Sequence, residues 1–221
     1  MPFNGDVGDD RPGYVIELAK AIFEPQGIAV GYEVMPWEDA LAAVREGRMT
    51  AAIGANQSEG EGMLLPSESI GTAPTCLLVR TDSTWNYSNV MSFRGVKLGV
   101  IKDYSYWPAL DDYIAKKAGT GVVVVEGDAP LGDLMQLLID REVDVIAETE
   151  PVLLWHLRAA NIDRSQFRVV YKHEAEAIYL AFAPTEDGRR FASQFDVGVR
   201  GLRASGELDK MLRRYGLRDW Q

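Results

Sequence analysis

The sequence has little of what disulfide frameworks, metal centres and membrane spans are built from. It contains one cysteine, Cys76, and two histidines, His156 and His173, among 221 residues. A single cysteine forms no intramolecular disulfide, and so few nitrogen and sulfur ligands leave little for a metal site. No apolar run approaches the roughly 18 residues that a membrane-spanning helix needs. We therefore expect no metal, no cofactor and no transmembrane segment.

Positive charge is also in short supply. The 23 Lys and Arg residues are outnumbered by 33 Asp and Glu residues, which gives a net charge of −10 at pH 7. Such a chain gains no affinity for phosphate backbones from its net charge, so we expect no nucleic-acid partner. Hydrophobic residues make up 47% and charged residues 25%, values that are ordinary for a globular protein with a packed core. Disorder as the main state is excluded, and the length indicates one or two domains.

Helical and extended patterns alternate along the chain. Apolar spacings of three and four predict helices, and alternation or short apolar runs predict strands. The predicted helices cover 14–23, 37–46, 108–117, 131–141, 151–158, 189–203 and 208–215. The predicted extended segments cover 28–34, 51–54, 75–80, 96–101, 122–125, 143–147, 167–171 and 177–183. One β-α-β-α-β set near 28–80 and a second near 96–147 indicate the α/β class, with two lobes built on parallel sheets covered on both faces.

Four stretches of the chain, taken together, resemble the sequence pattern of a known family. They are Pro2-Phe3 with 13–22, then 37–54, 144–152 and 201–216. Each stretch alone is mostly a core pattern. In this order and spacing, over nearly the whole chain, they resemble the type II periplasmic solute-binding proteins. The resemblance is to the amino-acid-binding-like members that serve bacterial ABC importers, known as extracellular solute-binding protein family 3.

The resemblance implies two Rossmann-like lobes joined by a two-strand hinge. The first lobe would comprise 1–80 and 182–221, the second 81–181, and the hinge crossovers 76–80 and 179–183. The implied protein is a periplasmic monomer that captures a small polar solute between the lobes by hinge closure. It would deliver that solute, amino-acid-like or amine-bearing, to an ABC permease. The same fold also serves as a ligand-sensing domain that reports to a signalling protein, and this alternative stays open.

The beginning of the sequence departs from the family pattern. Relatives carry a strand immediately before the Pro-Phe pair, whereas here Met1 directly precedes Pro2. We expect that the first strand of lobe 1 is missing from this sequence and that the native product extends upstream of Met1. The strands beside the missing one would then have unpaired ladder groups.

The resemblance also implies a set of ligand contacts in the first lobe. They are Phe3, Trp37, Gly54, Ala55, Asn56, Ser58 and Glu61. The two aromatic residues match cleft-lining positions, and 54–56 follow a strand where relatives hold an amine. Ser58 matches a ligand-contacting threonine. Counting from Gly54, the family arginine that binds a carboxylate falls on Glu61, which would repel one. The alternative is that Glu61 is a solvated loop charge and the Gly-rich loop shifts the register.

The second lobe contributes a turn and a strand end. The turn 102–108 lies between a predicted strand and helix, at the sheet edge where open α/β folds bind ligands. Its candidate contacts are Tyr104, Ser105 and Tyr106, and amides at the helix start are suited to an anion or polar head group. The family aspartate that holds an ammonium group falls on Thr149, beside Glu148.

The two family positions that bind the carboxylate and the ammonium group of an amino acid are therefore both altered in this sequence. An acidic, aromatic cleft favours a cation through charge pairing and cation–π contact. We hypothesise that the ligand is a small amine-bearing or otherwise polar solute. Arg80 swinging in from the hinge would instead restore an anion site.

An enzymatic reading has little support in the residues. The sequence contains no Gly-x-Ser-x-Gly, His-Glu-x-x-His or phosphate-loop motif. Cys76 lies in the apolar stretch 75–79, which indicates a buried, inert thiol. A few relatives of the fold dehydrate small acids with cleft carboxylates, a role for which Glu61 or Glu148 would be the candidates. We expect no catalytic residue and no enzymatic activity.

Overall fold

The computed structural model describes residues 1–5, 7–8, 10–127 and 129–221. The chain divides into two compact units, one formed by 1–73 with 176–221 and the other by 74–175. Each observed boundary lies earlier in the chain than the predicted boundaries after residues 80 and 181. Both units combine a sheet with helices, which confirms the α/β class.

The first unit contains four α-helices and three strands among its described residues. The helices are α1 (Tyr14–Phe23), α2 (Trp37–Arg45), α6 (Glu186–Ser205) and α7 (Glu207–Arg214). The strands are β1 (Ala51–Ala55), β2 (Gly71–Thr72) and β8 (Ala177–Phe182). β8 is central, and β1 and β2 pair with it antiparallel on its two edges. Apolar residues at helical spacing bury one face of α1. Packing rather than a side-chain cap therefore stabilises this helix.

The strand predicted over 28–34 is wrong. Residues 29–35 make no backbone hydrogen bond to any described residue, although the expected alternation of exposure is present. Ile28, Val30 and Tyr32 are partly buried, while the residues between them are exposed. A period-two pattern decides which side chains turn inward, but a ladder also requires a neighbouring strand. No strand precedes α1 in the described residues either.

The second unit is built on a five-stranded sheet in the order β5-β4-β6-β3-β7. Its strands are β3 (Thr75–Arg80), β4 (Leu98–Ile101), β5 (Val122–Val125), β6 (Val145–Thr149) and β7 (Phe167–Lys172). The helices α3 (Pro108–Lys117), α4 (Pro130–Ile139) and α5 (Glu150–Ala159) connect them. Short 3-10 turns cover Glu24–Gln26 in the first unit, and Val90–Phe93 and Arg164–Gln166 in the second.

This sheet is mixed, whereas the sequence analysis predicted parallel sheets. β4 is parallel to β5 and β6, but β3 is antiparallel to both of its neighbours. Strand direction depends on where the chain enters the sheet, and that is not encoded in apolar periodicity. The predicted coverage of both faces is present: Cys76 and Leu78 pack on one face of β3, and Leu77 and Val79 on the other. A continuous apolar run is the expected pattern for such a strand.

The segments 76–80 and 179–183, predicted as hinge crossovers, lie inside the sheets. The first belongs to β3, which is paired on both edges, and most of the second belongs to β8. The chain passes between units at 73–74 and 175–176. Near this passage the Ala73 N–H donates to the Glu176 carbonyl at 3.2 Å. An extended apolar segment has the same sequence pattern whether it crosses between units or forms a strand within one. The sequence alone therefore did not distinguish a crossover from a sheet strand.

Candidate functional site

The predicted ligand-binding residues are divided between the two units. Phe3, Trp37, Gly54, Ala55, Asn56, Ser58 and Glu61 belong to the first unit. Tyr104, Ser105, Tyr106, Glu148 and Thr149 belong to the second. Within the described ranges, no helix combines the length and apolarity needed to cross a membrane. Those same ranges contain no group of three or more His, Cys, Asp or Glu side chains arranged to hold a metal ion.

In the first unit, a bulge ends β1 and starts the candidate loop. The register of β1 against β8 shifts between Ile53 and Ala55, and Gly54 between them has a φ of +102°. Glycine adopts this conformation without the steric cost that a side chain brings. Ala55 is fully buried, so only its backbone is suited to contact a solute.

A reciprocal pair of hydrogen bonds then shapes the loop. The Asn56 Oδ1 accepts from the Glu59 N–H at 2.9 Å, and the Asn56 N–H donates to the Glu59 Oε2 at 3.0 Å. The other Glu59 oxygen, Oε1, accepts from the Trp37 Nε1–H at 3.0 Å. Glu59, which the sequence analysis did not select, therefore ties together two predicted site residues. The Asn-x-x-Glu spacing, typical of a capping box, was the signal that was available to find it.

Ser58 and Glu61 are exposed on the same loop. Arg45 holds the loop through its backbone, since its guanidinium donates to the carbonyl oxygens of Glu59 and Glu61 at 2.8 and 3.2 Å. The carboxylate of Glu61 forms no hydrogen bond or ion pair with any described residue. A carboxylate without a partner among the described residues thus lies at the position where the family resemblance implied an arginine.

Phe3 is positioned by the first turn of α1. The Tyr14 N–H donates to the Pro2 carbonyl at 3.0 Å, and the Val15 N–H donates to the Phe3 carbonyl at 3.1 Å. These are amides that a helix leaves without internal partners. The Phe3 ring packs on the Tyr14 ring with centroids 5.6 Å apart. The chain before α1 is therefore anchored by main-chain bonds rather than by the Phe3 ring alone.

In the second unit, Asp111 in the first turn of α3 organises the turn 102–107. Its Oδ2 accepts from the Ser105 Oγ–H at 3.1 Å, and its Oδ1 accepts from the Tyr106 N–H at 3.0 Å. The Tyr106 hydroxyl in turn accepts from the Ile101 N–H at 2.9 Å. The Ser105 hydroxyl, which sequence analysis placed beside an anion or polar head group, is thus bound by a carboxylate of the protein itself. The Leu110 and Asp111 amides at the helix start donate to the Trp107 carbonyl instead. Tyr104 is 51% exposed and is the accessible aromatic residue of this turn.

Glu148 is the most unusual titratable residue of the second unit. It is 1% exposed, and its Oε1 accepts from the Thr149 N–H at 2.6 Å. Its Oε2 is buried without a hydrogen-bond partner among the described residues. Burial raises the pKa of this carboxyl to about 7, although the hydrogen bonds from Thr149 act in the opposite direction. Its neighbour Glu150 is different, since it pairs with Lys172 at 2.6 Å.

The environment of Glu148 links it to the aromatic turn. Burial raises the pKa of the Tyr106 hydroxyl, and the charge of Glu148 adds to that rise. The same charge contributes to the raised pKa of Tyr104, after burial. A buried carboxylate oxygen with no partner is costly unless a proton or a cation compensates it. The strand end of β6 is therefore suited to receive a proton, an ammonium group or another hydrogen-bond donor.

Two α/β units joined by two chain passages, each with polar residues at strand ends and turns, define a two-unit α/β protein. The sequence matches the family of bacterial extracellular solute-binding proteins, family 3, over residues 2–218. The chain therefore belongs to this family, which confirms the resemblance drawn from the sequence. No curated protein sequence matches the chain significantly.

Solved structures share this fold at low sequence identity. One comes from work on glutathione import through GshT and the cystine ABC importer TcyBC of Streptococcus mutans, with a TM-score of 0.78 and 17% identity. That match covers 100% of this chain and 92% of the other. AbpA of Streptococcus pneumoniae, an amino acid ABC transporter substrate-binding protein bound to L-arginine, gives 0.67 and 22%, covering 97% and 90%. A histidine kinase sensor domain with similarity to periplasmic binding proteins gives 0.72 and 18%, covering 99% and 93%.

Proposed function

We propose that this protein is an extracytoplasmic solute-binding protein that captures a small amine-bearing solute and passes it to an ABC-type importer. Membership of the family supports solute capture. The observation that carries the choice of an amine is Glu148, whose Oε2 atom is buried and has no hydrogen-bond partner in the part of the chain that the structure describes. A protonated amine would give that oxygen a charge-assisted hydrogen bond and offset the cost of burying the carboxylate.

Charge in the first unit supports the same choice. The carboxylate of Glu61 has no hydrogen-bond or ion-pair partner within the described ranges, and the Arg45 guanidinium donates to backbone carbonyls of the loop. A ligand carboxylate would meet repulsion beside Glu61 rather than the forked hydrogen bonds of an arginine. The pneumococcal neighbour bound to L-arginine supports a ligand that carries a cationic side chain.

A second candidate function is sensing. The similarity to a histidine kinase sensor domain favours a role in which the same capture is reported to a signalling protein rather than to a permease. Genes for a permease and an ATPase beside this gene would support transport, and a kinase gene would support sensing. In either case the proposed ligand chemistry is unchanged.

The test starts from protein purified under denaturing conditions and refolded, so that any carried-over ligand is removed. Melting temperature and calorimetric titration are then measured with L-arginine, L-lysine, putrescine, choline, L-glutamate, L-glutamine and glucose. A ligand present at a hundred times its Kd adds roughly 2.7 kcal/mol to stability, which is readily seen as a shift in Tm. We expect the cationic compounds to shift Tm and the acidic and sugar compounds to leave it unchanged.

Two substitutions in the second unit make the test specific. Glu148→Gln removes the proposed charge partner and should weaken amine binding by about tenfold or more, since hydrogen bonds to charged groups contribute roughly 1.5–3 kcal/mol. Glu142→Gln removes an exposed carboxylate from the same unit and should bind like the wild type. Tight binding of L-glutamate without binding of any amine would overturn the amine assignment, as would a Glu148→Gln variant with unchanged affinity.

A further inference from the structure

A groove in the second unit has a charge opposite to that of the chain as a whole. It has a cavity volume of about 780 Å³ and runs between α3 and the segment 90–97. The charged residues that line it are Arg94, Lys97, Lys116, Lys117 and, as the one acidic member among the described residues, Asp112. The whole chain, by contrast, has 33 acidic and 23 basic residues. Because charges further apart than about 8 Å are largely screened at physiological ionic strength, the local excess decides which ions the groove attracts.

The groove is separate from the candidate solute site. None of the twelve predicted ligand-binding residues is among the described residues that line it. It follows one face of α3, on which Ala109, Asp112, Tyr113 and Lys116 occur at helical spacings of three and four. Substitutions in the groove can therefore be examined independently of the solute that the first proposal concerns.

Within the described ranges, three of the four cations of the groove are unpaired. Lys116 pairs with Asp112 at 3.7 Å. The side chains of Arg94, Lys97 and Lys117 are exposed, and they make no ion pair or hydrogen bond with any described residue. They are therefore available to an anion from solution.

A carboxylate beside Lys97 does not neutralise this cluster. The Asp144 Oδ2 accepts from the Lys97 main-chain N–H at 2.8 Å, and its Oδ1 lies 4.0 Å from the Arg80 guanidinium. Asp144 is not among the described lining residues of the groove. Its charge is thus shared with Arg80 and with a backbone amide rather than with the lysine side chain.

Helix electrostatics accounts for only part of the cluster. Lys116 and Lys117 lie in the last turn of α3, where cations complement the negative end of the helix dipole. Arg94 and Lys97 lie on the other wall, outside any α-helix, in the segment that leads into β4. Cations on both walls of one groove repel each other, and an anion with more than one charge between them would offset that repulsion.

The remaining lining of the groove is largely apolar. Phe93 is 1% exposed, and Val96 and Tyr113 are partly buried against the same core. Met91 also lines the groove and is 57% exposed. The Gly95 N–H, which makes no hydrogen bond with any described residue, adds a main-chain donor. Apolar walls with a few polar groups are the usual composition of a small-molecule site.

We propose that this groove is a second binding site, which takes a phosphate monoester with an apolar body and holds its phosphate group with Arg94, Lys97 and Lys117. A phosphate monoester has nearly two negative charges at pH 7 and three strong acceptor oxygens, so it matches three cations better than a singly charged carboxylate does. Arginine supplies a fork of donors, and the lysines supply point charges. The apolar body lies against Tyr113 and Met91. Two sources offer this chemistry, namely a free phosphate ester and the headgroup of phosphatidate in a membrane.

The test follows the backbone amides of isotope-labelled protein by NMR during titration with phenyl phosphate, inorganic phosphate or benzoate. We expect phenyl phosphate to shift the amides of Gly95, Lys97 and Gly121 in a saturable manner. Inorganic phosphate should shift the same amides with lower affinity, because it lacks the apolar body. Benzoate has the apolar body but one charge, and should bind about tenfold more weakly than phenyl phosphate or worse.

Co-sedimentation with lipid vesicles distinguishes the two sources. The vesicles contain phosphatidylcholine alone or phosphatidylcholine with phosphatidate. Co-sedimentation with the phosphatidate vesicles only, reversed by phenyl phosphate, would assign the lipid headgroup. Binding of phenyl phosphate without co-sedimentation would assign a free ester. Either result supports the groove as a phosphate site.

Charge reversal makes the test specific. Arg94→Glu combined with Lys97→Glu should weaken binding of phenyl phosphate by about tenfold or more, and Lys117→Glu on the other wall should weaken it in the same direction. The matched control combines Arg158→Glu with Arg164→Glu, two exposed cations of the same unit that do not line the groove. It changes the net charge equally and should bind like the wild type. Circular dichroism and Tm verify that each variant folds.

Four results would overturn the proposal. The first is that neither phosphate compound shifts the groove amides in a saturable manner and no phosphatidate vesicle is bound. The second is that benzoate binds as tightly as phenyl phosphate. The third is that reversal of Arg94 and Lys97, or of Lys117 where that pair does not fold, leaves the affinity unchanged. The fourth is an equal loss in the control, which would reflect net charge alone. Glu148→Gln should not alter phosphate binding, so this proposal and the amine proposal fail or succeed separately.

Discussion

Cys76 and Glu148 are register partners on the antiparallel strands β3 and β6, so their side chains lie side by side on one face of the sheet. Both are nearly inaccessible, at 0% and 1% exposure. Burial, followed by the charges of Glu150 and Glu148, raises the pKa of the Cys76 thiol to about 12. A protonated thiol and a carboxyl with a raised pKa thus share a tightly packed region of the second unit.

The thiol of Cys76 should be inert in the folded protein. The reactive thiolate is scarce at pH 8 when the pKa lies near 12, and burial also excludes the reagent. We expect labelling by a disulfide reagent or iodoacetamide to be at least about a thousandfold slower in the native state than in guanidinium, because it requires opening of β3. Rapid stoichiometric labelling under native conditions would contradict the buried placement of this residue.

Stability should fall as the pH rises from about 4.5 to 7. The folded protein keeps a proton on Glu148, whose pKa is raised to about 7, while the unfolded chain releases it near the ordinary value of 4.5. Over that window the folded state binds more protons, so the free energy of unfolding decreases with pH, by on the order of 3 kcal/mol from this residue. Urea denaturation between pH 4.5 and 8 measures it.

The substitution Glu148→Gln isolates this contribution from other titrating groups. We expect the variant to show a flatter pH dependence than the wild type and to match it most closely at the acidic end of the range. Glu142→Gln, an exposed carboxylate of the same unit, should follow the wild-type curve. If Glu148→Gln kept the full wild-type slope, the assignment of the raised pKa to this carboxyl would be wrong.

The affinity for an amine ligand should rise with pH up to about 7. A cation binds the ionised form of Glu148, so below pH 7 binding must first displace the proton, and affinity should decrease about tenfold per pH unit. Calorimetry in buffers of different ionisation enthalpy measures both the affinity and the released proton. A Kd that is constant between pH 5.5 and 7, without proton release, would argue against Glu148 as the charge partner.

Glu59 and Glu61, two glutamates of the loop after β1, should contribute very differently to folding stability. Glu59→Ala removes the acceptors of the Trp37 Nε1–H and the Asn56 N–H, and should cost about 1–2 kcal/mol of folding stability. Glu61→Ala removes an exposed carboxylate that contacts no other described side chain through a hydrogen bond or ion pair, and should change stability by less than about 0.5 kcal/mol. If Glu61 contacts the ligand, its substitution changes affinity alone. Equal destabilisation by both variants would show that Glu59 does not organise the loop.

Asp111 and Asp112, adjacent aspartates in α3, should also differ in their contributions to stability. Asp111→Ala frees the Ser105 hydroxyl and the Tyr106 N–H, so we expect a loss of about 1–2 kcal/mol and faster amide exchange in 102–107. Asp112→Ala removes only an exposed pair with Lys116, worth roughly 0.3–0.5 kcal/mol. Denaturant unfolding and amide exchange measure both. Identical exchange of the turn in the two variants would contradict the role given to Asp111.

Sequence patterns predicted the bounds of a helix or strand correctly where residues within that segment favour it strongly. The helix predicted over 108–117 and the strand predicted over 122–125 have the observed bounds, Pro108–Lys117 and Val122–Val125. Proline at a first helical position and a run of β-branched residues are strong local signals. The strand over 28–34 failed because a ladder needs a partner, which no pattern within the segment supplies.

The site was predictable in its residue types but not in its contacts. The family resemblance selected Trp37 and Asn56, and Glu148 was selected as the acidic neighbour of Thr149. Glu59 and Asp111 were not selected, although each bonds two predicted site residues or their backbone. A hydrogen bond between residues distant in sequence depends on the meeting of elements such as α2 and the loop after β1. Only the capping-box spacing of Asn56 and Glu59 was visible beforehand.

By itself, the sequence determined the α/β class, the order of the helices and membership of a solute-binding family, because periodicity and residue spacing are properties of the chain alone. The tertiary structure decided that β3 runs antiparallel to its neighbours, that Glu148 is buried beside Cys76, and that β8 lies between β1 and β2. Strand direction, burial and pairing are set by segments far apart in sequence, since each depends on which other element covers the same surface.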